Sequence, residues 1–266
     1  MPVDRRGFLK IAGLAGAAGL GGARALEALA EDGKGEWHAF DRAKETVANG
    51  RWAMVVLVRK CMEADEHCHQ CMSACHEAHN VPHIEDTDDE VKWIWRQDFH
   101  GTFPEQEPEI VPGDLHHFEF PVLCNHCDNP PCVRVCPTQT TWKRDDGVVM
   151  MDMHRCIGCR YCVAACPYGS RSFNWSDPRK HLEAQGVEPH STFPTRSRGV
   201  VEKCNFCAER LARGEWPVCV EKCPNDALLF GDLRNPEDPI YEALHSSYAV
   251  RRKPSLGTQP QVYYVI

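Results

Sequence analysis

Apolar positions along the chain come in short bursts rather than long periodic runs. The first, Ile11 to Gly22, is mildly apolar and rich in Gly and Ala. The next, Ala53–Val58, is a continuous run of six, and the segment Trp52–Val58 predicts a buried strand. Thr140–Arg144 and Val148–Met153 flank Asp145-Asp146-Gly147, which predicts a hairpin with an Asp-Gly turn. Ala227–Phe230 predicts another strand. Trp93 and Trp95 alternate as strand residues do, which favours packing over electron relay. No segment after the first burst is long enough to cross a bilayer. The 19 Gly and 19 Pro place much of the chain in turns and irregular backbone.

What organises these fragments is cysteine. The 266 residues contain 16 cysteines. They fall into four sets: Cys61, Cys68, Cys71 and Cys75; Cys124, Cys127, Cys132 and Cys136; Cys156, Cys159, Cys162 and Cys166; Cys204, Cys207, Cys219 and Cys223. Eight disulfides, zinc sites and iron–sulfur clusters are the three chemistries open at this point. The third set is C-x2-C-x2-C-x3-C followed by Pro167, the bacterial ferredoxin run. The others are variants that keep an x2 pair and end in x3-C, with proline again at Pro137 and Pro224. Three thiolates on a tight loop reach three corners of one cubane. The x3 step then starts a short helix that carries the fourth sulfur to the neighbouring cluster. Zinc requires only two C-x2-C pairs. Disulfides are disfavoured where four thiols crowd within a few residues. The sets therefore point to four [4Fe–4S] clusters in two pairs.

The N-terminus reads as an export address. Asp4-Arg5-Arg6-Gly7-Phe8-Leu9-Lys10 precedes the first apolar stretch, a twin-arginine pattern typical of Tat signals. Ala28-Leu29-Ala30 is the favoured cleavage site and Ala23-Arg24-Ala25 the second choice; retention as an uncleaved anchor is the alternative. This route carries folded, metal-loaded proteins, which agrees with clusters rather than disulfides. The chain carries 38 acidic and 30 basic residues, net −8. Removal of residues 1–30 takes away four basic and two acidic side chains and leaves net −10. That balance argues against nucleic-acid binding. The 42% apolar content excludes wholesale disorder. With no G-x-G-x-x-G after a strand and no P-loop, a nucleotide enzyme has no support.

The expected fold is α+β, built of tandem bacterial-ferredoxin-like [4Fe–4S] modules, one inserted within the other, with irregular loops. Residues 1–30 form the signal peptide and 31–51 a linker. The outer module's first half spans 52–123, the inner two-cluster module 124–172, a connecting insert 173–203, the outer module's second half 204–232 and a C-terminal extension 233–266. Lys60, Arg155 and Lys203 each stand just before the first cysteine of a set, where a cation offsets cluster charge; Leu123 breaks that pattern in the second set.

From about Trp52 onward the chain resembles the four-cluster ferredoxin-like subunits of membrane-associated polysulfide, tetrathionate and dimethyl sulfoxide reductases. The resemblance is carried by Asp146-Gly147-Val148-Val149, Cys156-Ile157-Gly158-Cys159-Arg160-Tyr161-Cys162, Cys166-Pro167-Tyr168-Gly169, and the tail Lys253-Pro254-Ser255-Leu256-Gly257-Thr258-Gln259-Pro260 with Val262-Tyr263-Tyr264. It implies an electron carrier with no substrate site and no catalytic residue. It also implies a crossed pairing. Cys61, Cys68, Cys71 and Cys223 (the Cys61 group) would hold one cluster, and Cys204, Cys207, Cys219 and Cys75 (the Cys204 group) its neighbour. Cys124, Cys127, Cys132 and Cys166 (the Cys124 group) would hold a third, and Cys156, Cys159, Cys162 and Cys136 (the Cys156 group) the fourth.

The first set departs from the common pattern. Six residues separate Cys61 from Cys68, and His76 stands where proline is usual. Cys75-His76-Glu77-Ala78-His79-Asn80-Val81-Pro82 and Lys92-Trp93-Ile94-Trp95 look like the exported iron–sulfur subunit of the membrane complex associated with dissimilatory sulfite reductase. That likeness implies a peripheral, extracytoplasmic subunit between a quinone-interacting integral membrane subunit and a multihaem cytochrome c. A molybdopterin polysulfide, thiosulfate or tetrathionate reductase is the same-class alternative, and a zinc-stabilised interaction scaffold the different-class one. His67, His69, His76 and His79 crowd the first set, but four cysteines already suffice there, so hydrogen bonding is expected rather than ligation. His116, His117 and His126 read as surface or cluster-adjacent residues, His154 and Arg155 as the close of the hairpin, and Glu85–Glu90 as a solvated acidic loop.

Overall fold

A computed structural model describes residues 50–64, 68–106 and 111–266. The segment expected to be an export signal, almost all of the expected 31–51 linker and His67 lie outside the described residues. The predicted strand is present as β1 (Trp52–Leu57). It ends one residue early because Val58 opens the short helix Val58–Met62, which carries Cys61. Ala53 to Val56 are all fully buried. Met54 and Val56 enter the main core while Ala53 and Val55 pack on the other face with Ile240 of the helix Pro239–Ser246. A strand covered on both faces reads as an unbroken apolar run rather than an alternating one. Burying Met54, Val55 and Val56 stabilises the fold by about 1.5–3 kcal/mol each.

Nine further strands complete four sheets among the described residues: β2 (Ile94–Gln97), β3 (Phe120–Leu123), β4 (Thr141–Lys143), β5 (Val149–Met151), β6 (Ser172–Phe173), β7 (Val201–Glu202), β8 (Leu228–Asp232), β9 (Ala249–Val250) and β10 (Val262–Val265). The largest has the order β8-β1-β10-β9. β1 runs antiparallel to β8, with Met54 opposite Phe230, and parallel to β10, with Met54 opposite Val262. The C-terminal tail therefore supplies a central strand. β4 and β5 form the expected antiparallel hairpin, Thr141 opposite Met151. Its turn is set by Gly147 at φ +87 and by buried Asp146, which accepts from the Val148 amide at 3.1 Å. β2 pairs with β3, so Trp95 is a strand residue while Trp93 lies just before the strand. β6 pairs with β7 and ties the two ends of the 173–203 segment together.

The x3 step of each set lies on a short helix. Cys71 and Cys75 sit on Gln70–Ala78, Cys132 on Pro131–Arg134, Cys162 on Tyr161–Ala165 and Cys219 on Val218–Glu221. The last three helices stop by the fourth cysteine, whose following proline disfavours helical backbone at the residue before it. The first set has His76 there, and its helix runs on to Ala78.

Candidate iron–sulfur sites

All sixteen cysteines are free thiols. In three of the four expected groups they converge across the sequence sets rather than within them. Cys61, Cys68, Cys71 and Cys223 line one small pocket, beside Arg96 and Pro121. Cys124, Cys127, Cys132 and Cys166 line another, with Tyr168 and Arg171. Burial pushes the Cys61 thiol up to about 11; Arg96 opposes this, and the charges of Cys223 and Cys68 add to it. Burial and then Cys61, Cys223 and Cys68 push Cys71 up to about 12.

Cys75 is held well above the usual thiol range, first by burial and then by Cys204, Cys219 and Cys207. Burial and the charges of Cys207, Cys204 and Cys71 raise Cys219 likewise. Burial also raises Cys162, against Arg171, with Cys132 and Cys156 contributing to the rise. Arg155 donates to the Thr138 carbonyl at 3.1 Å, holding the chain after Cys136 beside the start of the third set. Burial raises the Cys136 thiol, but donors from Thr138 and the backbone at 138, 140 and 141 outweigh it and bring its pKa down. Other amides also point at sulfur: Ala227 N–H at Cys223 Sγ, 3.2 Å, and Phe206 N–H at Cys204 Sγ, 3.5 Å.

Thiols packed so that each disfavours its neighbour's ionisation make a poor apolar core. They suit a metal that takes them as thiolates. Four sulfurs converging on one space, with amide donors aimed at sulfur, fit a [4Fe–4S] cluster. Neighbouring groups are also linked. Cys71 acts on Cys75 and Cys219, Cys124 on Cys204, and Cys132 on Cys162.

The cations before the sets differ. Lys60 and Arg155 are exposed, whereas Lys203 is buried and donates to the carbonyls of Val149 and, at 2.7 Å, Cys204. His79 is buried; its Nδ1 bonds the Cys75 carbonyl at 2.8 Å and its Nε2 the Glu209 carboxylate at 3.0 Å. Burial lowers its pKa, but hydrogen bonds with Cys207 and Glu209 outweigh that and raise it to about 9. Its ring stacks on buried Trp93 at 4.5 Å. His126 is fully buried, stacks on Phe206 at 3.7 Å and accepts from the Val149 amide at 3.0 Å. His69, His116, His117, His154 and the stretch from Glu85 to Asp88 are exposed, and His76 is half-buried.

Sequence reading passed over three arginines here. Arg96 lines the Cys61 cavity and bonds the Cys68 carbonyl. Arg171 lines the Cys124 cavity. Arg196 forms a buried ion pair with Glu202 at 2.6 Å and bonds the carbonyls of His79 and Asn80. Arg171 follows the Cys-Pro-Tyr-Gly-Ser run directly, and that adjacency was a usable signal. Arg196 is remote in sequence from His79 and Asn80, whose carbonyls it holds.

The 4Fe-4S dicluster domain family matches residues 115–182 and 179–233. Over 98% of its length the chain is 36% identical to the "Hdr-like menaquinol oxidoreductase iron-sulfur subunit 1" of Archaeoglobus fulgidus, covering 97% of that protein. It is also 36% identical to the "Menaquinone reductase, iron-sulfur cluster-binding subunit" of Nitratidesulfovibrio vulgaris, over 81% of this chain and 88% of the relative. With a polysulfide reductase polypeptide of Wolinella succinogenes the identity is 37%, over 74% of this chain and 87% of the relative. The chain belongs to this family of ferredoxin-like iron–sulfur subunits of membrane oxidoreductases. It is an electron-transfer subunit that carries [4Fe–4S] clusters, not a catalytic one, which answers the zinc alternative. Among the described residues no helix is long and apolar enough to cross a membrane.

Proposed function

We propose that the chain is a Tat-exported, extracytoplasmic relay of four [4Fe–4S] clusters. It would sit peripherally on a respiratory complex of sulfur metabolism and pass electrons between a quinone-interacting integral membrane subunit and other redox subunits, among them a multihaem cytochrome c. The observation that carries this reading is the file of thiol groups. Charge coupling links the Cys61 group to the Cys204 group, that to the Cys124 group, and that to the Cys156 group. Such a file suits the crossed ligand sets and a ferredoxin module at 124–172 inserted within a second one.

When bound, each cluster supplies a one-electron couple. The chain's own residues hold the sets in sequence, bury Cys75, Cys204, Cys207 and Cys219 away from water, and leave Cys159 at the surface. An exposed thiol at one end of the file marks an exit or entry point for electrons. The menaquinol and menaquinone wording of two relatives supports a quinone-linked partner. The polysulfide reductase relative supports the second reading, a molybdopterin complex.

Purification of the native complex from membranes tests this. An integral quinone subunit together with a multihaem cytochrome is the expected outcome. A molybdenum subunit in their place would establish the second reading. Replacement of Arg5 and Arg6 by Lys is expected to leave the protein in the cytoplasm, and continued export would refute the Tat address.

A further inference from the structure

Arg171 is buried without a carboxylate partner. It is 4% exposed and stands between Cys166 and β6. Its Nη1 donates to Thr141 Oγ1 at 3.1 Å and lies 3.6 Å from Met151 Sδ. Among the described residues its Nε and Nη2 are buried with no nitrogen or oxygen partner, while the Cys132 and Cys162 side chains lie within its reach. A guanidinium never sheds its proton in a protein, so this is a permanent buried charge with idle donors. Burying one uncompensated is strongly unfavourable, and a counter-charge must lie nearby.

The charges acting on Arg171 are thiols of two different ligand groups: Cys132 and Cys124 of one, Cys162 of the other. A second buried arginine makes the contrast. Arg252, 1% exposed, has protein oxygens as acceptors at Gln97 Oε1, 2.8 Å, and the Thr102 carbonyl, 3.4 Å. Burial lowers the pKa of Arg252, whereas the thiols overcome burial at Arg171 and raise it. The third, Arg196, has Glu202. Of these three, only Arg171 feels thiols of two ligand groups; Arg252, whose Nη1 also has no partner among the described residues, feels Cys166 of one group alone.

We propose that Arg171 is a shared counter-ion for the Cys124 and Cys156 groups, donating its Nε and Nη2 hydrogens to sulfur there and holding both cluster potentials up. The proposal rests on the four-cluster reading above. A fixed cation favours the more negative, reduced form of each cluster, and hydrogen bonds to sulfur act in the same direction. Because one guanidinium serves two groups, its removal shifts two potentials together. Reduction of either cluster also draws on the same cation.

The test is a redox titration followed by EPR on the full-length, anaerobically purified protein and on Arg171→Gln and Arg171→Lys. Signals are assigned by their loss in Cys166→Ser and Cys136→Ser. In Arg171→Gln both assigned potentials are expected to fall by a factor of about ten in the reduction equilibrium, ~59 mV for one electron. The cluster that depends on Cys75 stays where it was, and Arg171→Lys recovers most of the shift. Iron-complete variants with unmoved potentials overturn the proposal. So does loss of both clusters in Gln and Lys variants alike, which would make Arg171 a packing residue joining β4 to β5. Wild-type protein lacking these two clusters after reconstitution would instead defeat the four-cluster reading itself.

Discussion

The segment 124–172 and the chain on either side of it build thiol sites by different means. In the central segment the third set is local and rests on a hairpin with three-residue strands. The apolar cluster beside it has only four buried residues, Cys132, Val149, Cys162 and Val201, and two of these are thiols. The flanking region brings Cys75 to Cys204 and Cys61 to Cys223 across most of the chain. It does so through β1, β8 and β10 and a large core of Met54, Val56, Phe120, Phe206, Phe230 and Tyr264. Nearby cysteines need little framework to meet but obtain little stability from it, and metal must provide the rest. Distant cysteines need a sheet first, and that sheet stands largely on its own hydrophobic burial.

Iron removal is the strongest way to break this contrast. Anaerobic chelation is expected to bring amide exchange at 131–165 close to that of unfolded chain while β1, β8 and β10 stay protected. Equal loss in both regions would show that the sheet depends on metal as much as the hairpin does. Next in size, Cys75→Ser is expected to remove about four irons with the cluster on Cys204, Cys207 and Cys219 and to spare the signal of the Cys61 group. Loss of the Cys61 signal instead would refute the crossed pairing.

Arg196→Met leaves Glu202 buried without its counter-charge, held only by hydrogen bonds from Trp93 and Asn174. It is expected to destabilise the protein by about 3–5 kcal/mol in denaturant melts, an effect largely relieved by adding Glu202→Gln. The smallest effect is expected in the central segment. Gly158 sits at φ +69, and a Cβ there would collide with the Gly199 carbonyl oxygen. Gly158→Ala is expected to cost about 2 kcal/mol, read as a lower melting temperature of the iron-loaded protein. An unchanged melting temperature would show that the loop has room to relax.

What could be read from sequence follows the same division. The hairpin, β1, β8 and the x3 helices were legible because each is specified within a dozen residues by spacing, turn chemistry or an apolar run. β10 was not, because Val262–Val265 becomes a strand only through parallel pairing with β1. The β2–β3 pair, built from Ile94–Gln97 and Phe120–Leu123, likewise depends on a partner beyond a long connection. At the sites the cysteines announced themselves by spacing. Arg96 and Arg196 did not, since an isolated Arg in sequence carries no mark of burial, and Arg171 was marked only by its place directly after the Cys-Pro-Tyr-Gly-Ser run. Only the fold shows that Arg171 lies among thiols, that Arg196 pins the chain at His79 and Asn80, and that Lys203 is the buried one of the three cations preceding the sets.

The central claim is that the sixteen thiols form four cubane sites in file. Iron and sulfide analysis of anaerobically purified, fully reconstituted protein, combined with EPR of its stepwise reduction, tests that most directly. The account predicts about 16 irons per chain and four interacting [4Fe–4S] signals. A reconstituted protein holding about eight irons, with the flanking thiols metal-free, would contradict it.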